Sequence, residues 1–137
     1  MTVVLLGAFG CGGSDSPTKA EFVKQADAIC AETDKTQRVG LADYQQENPG
    51  SESNEAGQSK AIVEVGLPPI RQEAEELAAL EAPSGDEEKI EALVTEIEKA
   101  IEKSEADPTL LLGAENPFDQ ATKLATEYGF KACRNPF

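Results

Sequence analysis

Three cysteines, at positions 11, 30 and 133, are the residues of this chain best suited to covalent chemistry. An odd number of thiols leaves one over once a bridge has formed. The leftover needs its own explanation, and Cys11 offers one. It follows an apolar run, Met1 to Gly10, and precedes Gly12, Gly13, Ser14, Asp15, Ser16 and Pro17, a small and polar stretch. A ten-residue run is too short to span a bilayer, which takes about 20 apolar residues as a helix. It suits the apolar part of a secretion signal, with a small residue before the cysteine and a tether after it. Cleavage before Cys11 and acylation of its thiol are then expected, and the lipid would be the membrane attachment. Ala8 stands where such signals carry Leu, and Phe9 is larger than usual. With no Lys or Arg ahead of the run, the true start is expected to lie upstream. Two competing readings are an N-terminal strand with a buried free thiol at Cys11, and a signal left uncleaved or cut elsewhere.

Acylation of Cys11 leaves Cys30 and Cys133 as a pair in an oxidising compartment. The alternative is two free buried thiols in a reducing one. A redox-active pair is disfavoured, because the two cysteines are far apart in sequence and lack the Cys-x-x-Cys arrangement.

Other chemistry is sparse. The chain has no His, which removes Ser-His-Asp and Cys-His catalysis, His-based zinc sites and the usual haem ligand. Carboxylate pairs can be drawn among Glu73, Glu75 and Glu76, or Asp86, Glu87 and Glu88, on the pattern of glycoside hydrolysis. With 26 Asp and Glu such groupings arise by default, and solvated helix faces account for them. There is no Asp-x-Asp-x-Asp-Gly calcium loop, and Gly10, Gly12 and Gly13 belong to the signal and tether rather than to a phosphate loop. No cofactor or metal is expected, and the chain reads as a non-enzyme. Its formal net charge is -14, from 12 Lys and Arg against 26 Asp and Glu. Such a surface repels nucleic-acid phosphates and anionic lipid alike, so membrane attachment must be apolar or covalent.

The elements that carry these residues read as helices. Thr18 to Glu21 has the form of a capping box, and Phe22, Ala26, Ile29, Cys30 and Thr33 follow at spacings of three and four. This helix is expected to run to about Gln46, with Asn48-Pro49-Gly50 stopping it. Residues 47–59 read as an exposed connection. A second helix, from about Lys60 to Glu81, meets Pro68 and Pro69, where a kink or break is expected. Ser84 or Asp86 can cap a third helix bearing Ile90, Leu93, Val94, Ile97, Ala100 and Ile101 on one face. Leu110 to Leu112 lie in a loop that covers one end of the core. Asn116-Pro117 starts a fourth helix with Phe118, Ala121, Leu124, Ala125 and Tyr128 inward, ended by Gly129. The expected fold is therefore all-α, an up-down bundle of about four helices closed by one disulfide. Residues 1–10 are assigned to the signal remnant, 11–17 to the anchor and tether, and 18–137 to the bundle.

The segments Lys19-Ala-Glu-Phe22, Ala26-Asp-Ala-Ile-Cys30, Leu77-Ala-Ala-Leu-Glu-Ala-Pro83 and Tyr128-Gly-Phe-Lys-Ala-Cys133 together resemble a group of small bacterial lipoproteins. The resemblance covers nearly the whole chain. In that group an Asp-x-Ile-Cys segment sits in the first helix, a Gly-x-x-x-Cys segment lies near the end, and no activity is assigned. It implies a lipid-anchored protein on the outer side of the cell membrane, and supports the Cys30–Cys133 pairing. Function is left with three readings: a binding module for a protein or envelope component, a carrier of a small apolar ligand in an interhelical cavity beside Pro68 and Pro69, or an enzyme of unknown type.

Overall fold

A computed structural model describes residues 16–133 and 136 of the 137. The signal assignment over 1–10, Cys11 and most of the tether lie outside the described residues. Within them the chain forms four helical rods and no strand. These are α1 (Lys19–Glu47), a composite rod of α2 (Glu55–Ala61), a π-helical segment (Ile62–Gly66) and α3 (Leu67–Ala79), then α4 (Glu87–Ala106) and α5 (Asp119–Tyr128). The fold is the expected up-down bundle, closed by a disulfide between Cys30 and Cys133.

Each rod begins and ends for a local reason. At the start of α1 the Thr18 hydroxyl accepts from the Glu21 amide at 3.3 Å while the Glu21 carboxylate accepts from the Thr18 amide at 2.9 Å, the reciprocal pair of a capping box. Because the Glu21 carboxylate is most stabilised by these hydrogen bonds when ionised, its pKa lies below the ordinary value. At the other extreme, Gly129 takes φ +113°, and the Phe130 and Gly129 amides donate back to the Ala125 and Thr126 carbonyls at 2.9 and 3.1 Å. That pair of bonds is a Schellman motif, which only a left-handed residue can form without strain.

Residues 47–59, expected as an exposed connection, are not all open, because Asn54 caps α2 by accepting from the Gly57 amide at 2.8 Å. At Pro68 and Pro69, where a kink or break is expected, the second rod changes its helical type and continues. Without amide hydrogens they leave the carbonyls four residues back, on Glu64 and Val65, without an α-helical donor. The chain widens to a π-helical turn just before them, with the Leu67 amide reaching back five residues to Ile62. Gln37, buried on α1, donates to the Gly66 carbonyl at 3.3 Å and ties this segment to α1. Asp86 occupies the cap position of α4, yet its carboxylate does not cap. It accepts from Lys89 and Tyr128, and the Gly85 amide is satisfied by Glu87 instead.

The core is built from Phe22, Ala26 and Cys30 of α1, Leu67, Ile70, Ala74 and Leu77 of α3, the apolar stripe of α4, and Phe118, Ala121, Ala125 and Tyr128 of the last rod. Leu111 packs against it from a 3₁₀ turn over Pro108–Leu112, while Leu110 and Leu112 are exposed. Glycine is required where α2 meets the preceding turn: a Cβ on Gly57 would press on the Ser51 backbone, 2.6 Å from its Cα. Gly57→Ala is therefore expected to lower stability by about 1–3 kcal/mol, overpacking outweighing the gain of about 1 kcal/mol in helix propensity. A urea midpoint at or above that of the parent protein would refute this.

Candidate functional site

The C-terminal end of the chain is returned to α1 by three consecutive devices. Gly129 reverses the direction, and Phe130 then enters the core beside Phe22 and Tyr128, with ring centroids 6.0 and 5.1 Å away. Next, Asp27, one turn before Cys30, accepts from the Lys131 and Ala132 amides, each at 2.8 Å. The following residue is Cys133, which these contacts deliver to Cys30 with the two Cα atoms 5.0 Å apart. The acidic residue of the Asp-Ala-Ile-Cys segment thus has a physical role: it anchors the irregular tail that carries the partner cysteine. Both sulfurs are buried.

Asp27→Ala would leave two backbone amides without their acceptor. Leaving a donor unsatisfied costs about 1–3 kcal/mol when it is buried, and these sites are partly open, so a total near 2 kcal/mol is expected. Thermal unfolding of the oxidised protein checks this, together with faster amide exchange at Lys131 and Ala132. Unchanged exchange at those two amides would sink the assignment.

Beside this clasp lies a cleft of about 370 Å³ between α1, α3 and the returning tail. Its walls include Cys30, Thr33 and Asp34 from α1, Glu73 from α3, and Lys131 and Pro136 from the tail. Glu73 also lines the adjoining crevice beneath it, which is only about 20 Å³ and reaches Ile70, Leu93 and Phe118. The crevice has room for about one water. Glu73 therefore stands between solvent and core. Burial pushes its carboxyl up to about 7, helped by the nearby Glu76 charge and opposed by a hydrogen bond from Thr33. The sequence places Glu73, Glu75 and Glu76 together on a solvated face, whereas Glu73 is partly buried against the core and the other two are exposed.

A second, open groove of about 490 Å³ runs between α4 and α5 toward the start of α1. Leu93 and Leu124 contribute its apolar surface, and Lys19, Glu88, Lys89 and Glu127 its charges. Lys19 sits 4.3 Å above the Tyr128 ring, and the Tyr128 hydroxyl donates to Asp86 at 2.9 Å. Burial and the Asp86 charge push that phenol up to about 12, while hydrogen bonds from Lys89 and Tyr128 hold Asp86 below its ordinary value. Lys19, Lys89, Asp86 and Tyr128 are partnered with one another, so the cluster reads as a tie between α1, α4 and α5.

Around Pro68 and Pro69 the space is either small or polar and open, the hollow at Pro68 measuring about 530 Å³. The space beside Pro69 is about 50 Å³, and the surface hollow at Pro68 is lined by Arg71, Gln72, Glu75, Glu76 and Glu105, with Arg71 bridged to Glu105 at 2.6 Å. Among the described residues no group of His, Cys, Asp or Glu is arranged to hold a metal ion, and no helix is long and apolar enough to cross a membrane.

The fold and the clasp define a four-helix, disulfide-closed bundle in which Lys131, Ala132 and Cys133 are fastened back onto the first helix. Comparison with protein-family models, curated proteins and solved structures found no match to this chain.

Proposed function

We propose that this protein is a lipid-anchored helical module on the outer side of the cell membrane, held there through Cys11 and acting by binding a protein or other envelope component. The observation that carries the reading is the disulfide: Cys30 and Cys133 are joined, and bridges of this kind persist in oxidising compartments. Their pairing leaves Cys11 as the remaining thiol, directly after an apolar run and before a Gly- and Ser-rich stretch. The resemblance to small bacterial lipoproteins supports the same location. With a net charge of -14 the surface gains nothing from anionic lipid, so the acyl chains must supply the attachment, at roughly 0.8 kcal/mol per buried methylene.

Carriage of a small apolar ligand between the helices has weaker support. The crevices with the most apolar walls, about 20 and 50 Å³, fall well short of the roughly 300 Å³ that a drug-sized ligand pocket occupies, and the larger spaces, about 370, 490 and 530 Å³, carry charged side chains that suit a polar or ionic group better than an apolar one.

Mass spectrometry of the protein from bacterial membranes tests the proposal. A lipid-modified peptide beginning at Cys11, and release of a Cys11→Ser variant from the membrane fraction, are the expected results. An unmodified Cys11 thiol that reacts with maleimide would overturn it.

A further inference from the structure

Glu73 breaks a rule that the rest of the surface obeys. Its side chain is partly buried in the cleft wall at the junction of α1, α3 and the tail, yet it forms no ion pair with a described residue, its hydrogen-bond partner being the neutral Thr33 hydroxyl. Burying a carboxylate without a counter-charge is unfavourable, and a leucine or glutamine at this position would avoid the cost. Such a group beside a cleft marks a binding position on physical grounds. The cleft is large enough for a side chain, and its composition is mixed. The disulfide, Ala31 and Pro136 give an apolar wall, while Thr33, Asp34 and Glu73 give oxygen acceptors.

We propose that this cleft binds a primary alkylammonium group, the chemistry shared by a lysine side chain on a partner polypeptide and by a free aliphatic amine. The ammonium would sit against Glu73 and Thr33, and its methylene stem against the disulfide and Pro136. A divalent cation fits poorly, because the cleft presents no set of ligands suited to a metal. The acidic surface draws cations toward the cleft over longer distances. Three charged groups face Glu73: Asp34 from α1 and Glu76 from α3 reinforce the attraction, while the Lys131 ammonium on the tail, which has interactions of its own, opposes it, leaving two carboxylates besides Glu73 against one cation. The ionised form of Glu73 is the one that binds, so affinity rises as pH increases through about 7. The inference extends the binding-module reading without depending on Cys11.

The test uses the oxidised protein uniformly labelled with carbon-13 and nitrogen-15, titrated by NMR at mildly alkaline pH with n-butylammonium and, separately, with a capped peptide containing one lysine. Saturable shifts at Glu73 and Thr33 are expected, with Glu73→Gln weakening the binding by about tenfold or more and Glu76→Gln changing it much less. Tighter binding of the peptide would point to a partner's lysine, and tighter binding of butylammonium to a free amine. Either supports the site. Binding to Glu73→Gln equal to the parent, or no saturable shift with either probe, would overturn it. The glutamine variant is a sound control, since removing a buried charge favours folding. A failed titration with Cys11 still found acylated would reject the cleft and leave the lipid-anchored module standing.

Discussion

Replacing Cys30 and Cys133 together by alanine is expected to remove about 3–5 kcal/mol of stability, the largest single effect available in this chain. The bridge spans a sequence separation of 103 residues, so in the loop-entropy model it withdraws roughly 4.7 kcal/mol of freedom from the unfolded chain. The native packing changes less, because Ala fits where the two buried sulfurs stand and Asp27 still holds the tail. Against a typical domain stability of about 5–15 kcal/mol, the loss leaves a bundle close to its unfolding threshold at body temperature. Equilibrium unfolding in urea checks this. Besides a lower midpoint, a steeper dependence on urea is expected, since the uncrosslinked chain exposes more surface when it unfolds. A double variant within about 1 kcal/mol of the parent would show that the bridge merely records proximity created by Gly129, Phe130 and Asp27.

That outcome bears on how the fold is encoded. The capping box at Thr18, the apolar spacing through Cys30, the α4 stripe and the Gly129 stop are local signals, and each is realised where the sequence places it. The misplaced elements are those decided by contacts between distant residues. Residues 55–61 read Glu-Ala-Gly-Gln-Ser-Lys-Ala, a composition too polar to announce a helix. The local clue was Asn54 followed by an acidic residue, a cap and its favourable first-turn charge. Pro68 and Pro69 correctly signal an interruption, but whether an interrupted rod bends or widens depends on what lies alongside. Here α1 approaches so closely that a Cβ on Gly40 would come within 2.8 Å of a Val65 methyl, and Gln37 adds a bond to Gly66. Neither contact is visible in the spacing around the prolines.

The candidate site was half legible. Cysteine count and compartment lead to the Cys30–Cys133 pair, whereas the tail's return path rests on Asp27, whose carboxylate meets amides more than 100 residues away. Glu73 was available to a closer reading. It lies three residues after Ile70 and four before Leu77, both fully buried, which puts a carboxylate on the flank of the apolar stripe rather than on the solvated face. Among so many acidic residues, composition hides the one whose register is anomalous.

The same residue carries the second large expected effect, on the pH dependence of stability. In the unfolded chain its pKa returns to the ordinary 4.5, and in the folded protein it is about 7. Below about pH 4.5 both states hold the proton and Glu73 is neutral to folding. Between those values the native state binds more protons than the unfolded one, so stability falls as pH rises. Above pH 7 the loss is complete and amounts to about 3 kcal/mol, at 1.36 kcal/mol for each unit of difference. Glu73→Gln keeps the shape and the hydrogen-bonding capacity but cannot ionise. The variant is expected to match the parent near pH 4.5 and to exceed it by up to about 3 kcal/mol near pH 8. Urea midpoints for both proteins across this range decide the matter, the difference between the two curves removing every other titrating group they share. Parallel curves would mean that Glu73 is already solvated in the native state, and would take with them the unpaired buried charge on which amine recognition in the cleft depends.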